Sequence, residues 1–404
     1  MISSRRGFFL GLSSALAAEA VRGDGEDYWK LVRRQFPLED GLTYLNAANV
    51  CPASRPVLDR HAELLRDFHA NPSFQNRDKY ERLQESLRSK IADLLHVGAS
   101  EIAITRNTSE ATNTFIQGID LKPGDEVVLT AHNHPSNLDS WKVRARREGF
   151  TLQIVPVPIP AISKQHILDG FAKAVTAKTK VVSITHCTST TGILFPARQI
   201  GEVAHKVGAW FHVDGAQTFG AVALNLKEMG CDSYAGSSHK WMMGPLEAGV
   251  LFVKAERIPQ LWPAIISAHW SDTLEGARKF EVYGQRDDPR LAAFGAAVDF
   301  IQMIGMDRAE QRTRMLATYL KTKLADNSAV EMLTNMEPEL SAGVIRFRLR
   351  GQNLTEAYNK LYSRNRIALA LTDAGDSAGL RFSPHIYNST ADCDSAAEAI
   401  KKLV

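Results

Sequence analysis

With 404 residues, 44% of them hydrophobic and 23% charged, the chain has enough apolar material for one large core and a smaller one, so two domains are expected. Its net charge of +3 is small for this length, and no Lys/Arg-rich block is interleaved with aromatic residues, which excludes a nucleic-acid surface and favours a small, anionic ligand. Four well-separated cysteines, Cys51, Cys187, Cys231 and Cys393, form neither a CxxC pair nor a Cys/His ligand spacing, so zinc is not expected.

The first twenty residues differ in kind from the rest. SRRGFF opens a short apolar run, FFLGLSSALAA, which closes in small residues, and no acid precedes Glu19. This is the layout of an export signal, and the adjacent Arg5 and Arg6 fit the twin-arginine class. The run is too short for a stable membrane span. The expectation is a periplasmic or otherwise exported protein that meets an export translocon, with a cytoplasmic one as the alternative if the stretch is only a basic N-terminus.

Short β-branched runs then alternate with helix-length amphipathic segments. EIAITR (101–106), EVVLT (126–130), TLQIVPV (151–157), KVVSITH (180–186), WFHVD (210–214), DSYAGS (232–237) and GVLFVK (249–254) predict about seven strands. NLDSWKVRARREG, HILDGFAKAVTAK and ARQIGEVAHKVG predict helices in the gaps, the pattern of crossover units and a mainly parallel sheet. From about residue 285 two helical patterns precede strands such as GVIRFRL and GLRFS, predicting a smaller α+β domain. The expected division is an export signal over 1–20, an arm over 21–45, a large α/β domain over 46–284 and a small domain over 285–404.

In an open parallel sheet, ligands gather at the carboxyl ends of strands. Those ends carry Asn107-Thr108-Ser109-Glu110-Ala111, small polar residues opening a helix whose free N–H groups suit an anion or merely cap the helix. They also carry Asn133-His134-Pro135-Ser136, Thr188 to Gly192, Asp214-Gly215-Ala216-Gln217 and Ser237-Ser238-His239-Lys240. His132 and His134 form an HxH pair with no third metal ligand visibly arranged. An anion cradle, a flat ring, a buried carboxylate and a lysine together are what pyridoxal 5'-phosphate uses: a phosphate site, an aromatic face, a partner for the pyridine nitrogen and an amine for the aldehyde. A partly buried lysine near other positive charge loses its proton more readily and so can exchange a Schiff base.

FHVDGAQ followed by the lysine of SSHKW resembles the class V aminotransferases of fold type I, and the likeness runs from TYLNAAN (43–49) to GLRFSP (379–384). NPSF, RNTSEATN, HPSN and SHKW are similar to the isopenicillin N epimerase-like branch. The resemblance implies a Schiff-base lysine at Lys240, a pyridine-nitrogen partner at Asp214, a ring-stacking, catalytic His134, and Gln217 and Ser189 near the phenolic oxygen. It implies phosphate contacts from Ser109 with its neighbour Glu110, from Ser237 and from His239, and a substrate-carboxylate arginine at Arg381. Gln285 falls where relatives reach the neighbouring subunit's phosphate, often with threonine, so a homodimer is implied. Trp241, Met242 and Met243 are expected in the core beneath the site. The stretch ALALTDAGDSAG (368–379) lacks the cysteine that desulfurases of this family carry there, which disfavours persulfide chemistry. An amino-acid substrate and transamination are the expected reading; epimerisation, a carbon–sulfur lyase reaction and a non-catalytic pyridoxal-phosphate-binding protein are the alternatives. A dehydrogenase is disfavoured because no GxGxxG follows the early strands.

Overall fold

The computed structural model describes residues 25–271, 274–372 and 375–404. The export-signal expectation falls outside these residues. Seven strands, β2 (Ile102–Thr105), β3 (Glu126–Thr130), β4 (Thr151–Val155), β5 (Thr179–Thr185), β6 (Trp210–Asp214), β7 (Ser233–Ser237) and β8 (Gly249–Val253), form one sheet in the order β2-β8-β7-β6-β5-β3-β4. Pairs β4/β3, β3/β5, β5/β6 and β6/β7 are parallel, while β8 runs antiparallel to both β2 and β7. Every residue of β6, β7 and β8 is buried. Apart from His212 and Asp214 of β6, their apolar and small residues follow from helices covering both faces of the sheet, which leaves no solvent side to impose alternation. The predicted TLQIVPV strand stops at Val155 because Pro156 cannot donate to a ladder.

Four helices, α4 (Thr108–Gly118), α5 (Pro135–Glu148), α6 (Lys164–Ala174) and α7 (Ala197–His205), cross between the strands. Asn107, His134 and Ser163 cap the first three through side chains that accept backbone N–H groups. Upstream, α1 (Glu26–Arg33) buries Tyr28, Trp29 and Val32, and α2 (Arg55–Ala70) and α3 (Phe74–Leu95) pack against α9 (Asp288–Ile304). The short α8 (Leu226–Met229) precedes β7. Although α9 lies past the expected domain boundary at 285, its Leu291, Phe294 and Ile301 belong to the larger core, because its apolar residues go all round the helix. The smaller core gathers Leu45 and, from α10 (Met306–Ala325), Leu316, Leu320 and Leu324.

That smaller core lies between α10, α11 (Leu354–Asn365) and α12 (Thr390–Lys401) and the antiparallel sheet β12-β13-β10-β9. Its strands are β9 (Val330–Met332), β10 (Ile345–Leu349), β12 (Ala370–Thr372) and β13 (Gly379–Phe382). Early in the chain β1 (Thr43–Tyr44) pairs in parallel with β11 (Ile367–Ala368), and the bridge Asn46 to Ser383 continues this seam. Residues 43–48 are thereby stitched to the small domain while the next turn rests on the large one, where the Cys51 N–H bonds the His239 carbonyl at 2.7 Å. Among the described residues no helix is long and apolar enough to cross a membrane.

Gly215 is required by packing. A Cβ there would sit 1.9 Å from Cζ of Tyr234, whose hydroxyl is held by the Gly215 carbonyl at 3.2 Å and Thr218 Oγ1 at 3.1 Å. Gly215→Ala should therefore lower stability by about 1–3 kcal/mol through overpacking, measured by urea unfolding; an unchanged midpoint would show that Tyr234 moves freely.

Three buried histidines sit in this framework. His212 stacks on Phe115 at 4.3 Å, His186 meets Thr218 Oγ1, and His385 bridges Thr313 Oγ1 and the Trp241 carbonyl. Burial holds their pKa values down, to about 3, about 4 and about 4. Their folded pKa values lie below the unfolded value, so between about pH 6.5 and 4 the unfolded chain binds more protons. Stability should fall as pH drops through that window, each histidine contributing at most ~1.4 kcal/mol per pH unit. Asp214, whose carboxyl is pushed up by burial, acts in the opposite sense. Proton uptake on unfolding at pH 5.5 measures the balance; zero uptake would contradict neutral buried rings.

Candidate active site

The turn after β7 is built by its own hydrogen bonds. Ser237 Oγ accepts the Thr108 N–H at 2.8 Å and lies 2.7 Å from Thr108 Oγ1, tying this strand end to the start of α4. Ser238 Oγ donates to the Pro245 carbonyl, and the Gly244 N–H returns to the Ser238 carbonyl at 2.8 Å. Trp241, Met242 and Met243 are buried below, as their apolar character requires. Lys240 is left half-buried, and among the described residues its ammonium makes no hydrogen bond or ion pair. Burial lowers its pKa, the Asp214 carboxylate works against that, and the Arg381 guanidinium adds to it.

Asp214 ends β6 and is 2% exposed. Its Oδ1 accepts the Ala216 N–H at 3.0 Å, and the hydroxyl of Thr185, its ladder partner on β5, also supports the charge. Burial pushes its pKa up, while the Ala216 N–H, Lys240, His134 and Thr185 pull it down. His134 caps α5 and is fixed from behind. Its N–H reaches Thr185 Oγ1 at 3.2 Å, and its Nδ1 accepts the Ser136 N–H at 3.2 Å. Because Nδ1 accepts, Nε2 carries the proton of the neutral ring. Burial lowers the His134 pKa, Asp214 opposes, and Lys240 and Arg381 add to the lowering, so these four side chains share one electrostatic site. His132, by contrast, turns to the Val157 carbonyl at 2.7 Å.

Gln217 is pinned at both ends: its Nε2 donates to the Ala48 carbonyl at 2.9 Å and its Oε1 accepts from Trp241 Nε1 at 2.8 Å. An indole only donates, so Trp241 fixes which end of the amide faces which way and leaves the second Nε2 hydrogen for a ligand oxygen. Arg381, on β13, is 8% exposed; its Nη1 donates to the Ser189 carbonyl at 2.9 Å and its Nη2 to Asn46 Oδ1 at 3.0 Å. Its Nε is buried with no partner. Burial lowers its pKa to about 10, with the Tyr44 phenol opposing.

The start of α4 adjoins Ser237. Ser109 is exposed in its first turn. Glu110 is engaged twice over, its N–H by Asn107 Oδ1 at 2.9 Å and its carboxylate by Arg106 at 2.7 Å. His239 keeps a buried Nδ1 without a partner, and burial, then Lys240, lower its pKa to about 4. Gln285 is separate: it is exposed, bonded to Arg77 at 2.9 Å, and lines a cavity of about 260 Å³ with Arg106, Tyr283, Arg286 and Arg290. The Arg286 Nη1 and Nη2 are buried there without a partner.

Thr185 and Asn46 were not singled out from sequence as site residues, whereas Thr108 falls in the stretch expected to face an anion. Thr185 closes a strand already assigned, and Asn46 lies in the TYLNAAN motif, so their signals were position at a strand end and membership of a quoted motif. All four cysteines are free and buried, and burial raises each thiol, Cys187 and Cys393 to about 12 and Cys51 and Cys231 further.

The family model described as "Aminotransferase class-V" matches residues 43–395. The chain belongs to the class V aminotransferase family. Members are pyridoxal-phosphate-dependent enzymes of fold type I, and pyridoxal 5'-phosphate is the cofactor of this one. Among curated relatives, isopenicillin N epimerase of Amycolatopsis lactamdurans is 29% identical over 93% of this chain and 98% of its own length. A probable cysteine desulfurase of Halalkalibacterium halodurans is 30% identical over 92% and 97%. Solved structures with the same fold include the cystine C–S lyase C-DES bound to its product cysteine persulfide (23% identity, TM-score 0.84, covering 91% of this chain and all of that one). The apo cysteine desulfurase of Thermococcus onnurineus NA1 superposes equally well (24%, 0.84, 92% and 97%).

The residues fit the cofactor on chemical grounds. An unpaired lysine stands beside a buried carboxylate, a neutral ring is held at a helix start, the Ser237 hydroxyl meets a helix N-terminus suited to phosphate, and His239 keeps an orphan buried Nδ1. Trp241→Phe should free the Gln217 amide and cost about 1–3 kcal/mol by leaving a buried acceptor unpaired; urea unfolding that matches the parent would show the indole bond to be dispensable.

Proposed function

We propose that the enzyme is an aminotransferase acting on an amino acid or amino-acid-like substrate. The observation that carries this is Lys240, unpaired and half-buried, sharing one electrostatic site with Asp214, His134 and Arg381. When bound, pyridoxal 5'-phosphate supplies an electrophilic aldehyde and an electron-accepting ring. Lys240 Nζ, its proton loosened by burial, takes the proton from the substrate Cα and returns it. Arg381 receives the α-carboxylate at its unpartnered Nε, and the planar fork sets which Cα bond faces the lysine. Asp214 would hold the positive charge of the cofactor's ring nitrogen, and His134 would pack against the ring. Gln217 offers its free Nε2 hydrogen to an oxygen.

Epimerisation is the second reading, favoured by the 29% likeness to isopenicillin N epimerase. A desulfurase reading has weaker support, since no cysteine occupies 368–379 and burial keeps all four thiols protonated. We further propose a homodimer in which Gln285 and the cavity beside it face the second subunit, and export through the Arg5-Arg6 signal.

Purified protein should absorb visible light, and borohydride should fix the cofactor on Lys240. Lys240→Ala should lose that adduct and lower turnover by roughly 10²–10⁴-fold. Keto-acid formation from an amino-acid panel supports transamination; change of optical sign without keto acid supports epimerisation. A protein that takes up no cofactor would overturn both.

A further inference from the structure

Arg346 is a second buried arginine beside Arg381, and the reading above leaves it without a task. The two residues are direct partners in the antiparallel ladder between β10 and β13, so their side chains leave the same face of the sheet. Arg346 is 2% exposed. Its Nε donates to the Thr190 carbonyl at 2.6 Å, next to the Ser189 carbonyl that Arg381 holds. Its Nη1 reaches the Gly379 carbonyl at 2.6 Å and its Nη2 Thr372 Oγ1 at 2.7 Å. The backbone makes room for it: a Cβ at Gly379 would stand 3.2 Å from Arg346 Cδ and 2.4 Å from the Phe347 carbonyl. On the other side of Arg381 the ladder partner is Ala370, which is small.

Like charges directly opposed on a strand pair repel, and a buried cation needs an anion or a full set of hydrogen bonds. Among the described residues neither guanidinium makes an ion pair, and their acceptors are carbonyls, a hydroxyl and an amide oxygen. One substrate carboxylate offsets one of the two charges. Burial and the neighbouring Arg381 together lower the Arg346 pKa to about 9, in keeping with a cation whose counter-charge the chain does not supply. Three of five guanidinium hydrogens are used, so Nη1 and Nη2 each retain one.

Resting on the amino-acid reading above, we propose that Arg346 is a specificity-determining residue and that the substrate carries a second anionic group, as an amino dicarboxylate does. Arg381 takes the α-carboxylate, and Arg346 supplies the charge that the second carboxylate meets. Selection of diacids over neutral amino acids of equal length follows.

Calorimetric titration of the holoenzyme with glutarate and with valerate tests this without any turnover. The parent should bind glutarate at least about tenfold more tightly, as a hydrogen-bonded charge contact predicts. Arg346→Gln should erase most of that preference with a smaller loss for valerate, and Arg346→Lys should keep part of it. The same ordering is expected in KM for glutamate against norvaline, with kcat less affected. Equal affinity of the parent for both acids would overturn the proposal, as would equal losses of both in Arg346→Gln, which mark a purely structural arginine. If Arg346→Gln does not fold, the parent ratio and Arg346→Lys decide. A chain that prefers glutarate yet turns over no amino acid would sink the aminotransferase reading alone.

Discussion

A carboxylate with 2% exposure at the end of a central strand is the constraint around which the site is arranged. Burial alone would neutralise Asp214. It keeps its charge only if neighbours supply compensation, and they come from three strand ends: the Ala216 N–H after β6 itself, Thr185 at the end of β5, and Lys240 after β7, joined by His134 at the head of α5. Parallel pairing brings these ends to one edge of the sheet. The same geometry that satisfies the carboxylate therefore gathers the lysine and the ring beside it, and the fold's topology and the site's chemistry become one requirement.

Strand positions were legible because burial on both faces writes β-branched or small-residue runs into the sequence, and the seven observed strands lie within a residue or two of the predicted ones. The strand ends pointed to Lys240, Asp214 and His134 and the family resemblance to Arg381, four side chains that the structure gathers into one electrostatic site. Arg346 was not. In GVIRFRL the two arginines alternate with Ile345, Phe347 and Leu349, a pattern that reads as one polar, solvent-facing side. Arg348 behaves that way, near Glu331, whereas Arg346 is covered by the turn at Thr190, 156 residues away. Nor could local pattern place Asn46 against Arg381, 335 residues later. Contacts across the seam between domains leave no periodic trace.

All four cysteines lie outside the loop that precedes Arg381. Likeness to desulfurases extends over nearly the whole length, yet the loop before Arg381 offers no thiol and the four that exist are packed in cores. A framework common to a family can host different chemistries according to a few residues on the loops above it.

Arg381 is tied from both sides before any substrate arrives, by Ser189 of the large domain and Asn46 of the N-terminal seam. A free arginine forfeits on the order of 1.5–2 kcal/mol of rotamer freedom when immobilised. Here that loss is borne by folding, so an anion bound at Arg381 would meet a guanidinium already at rest and would retain the full value of the contact.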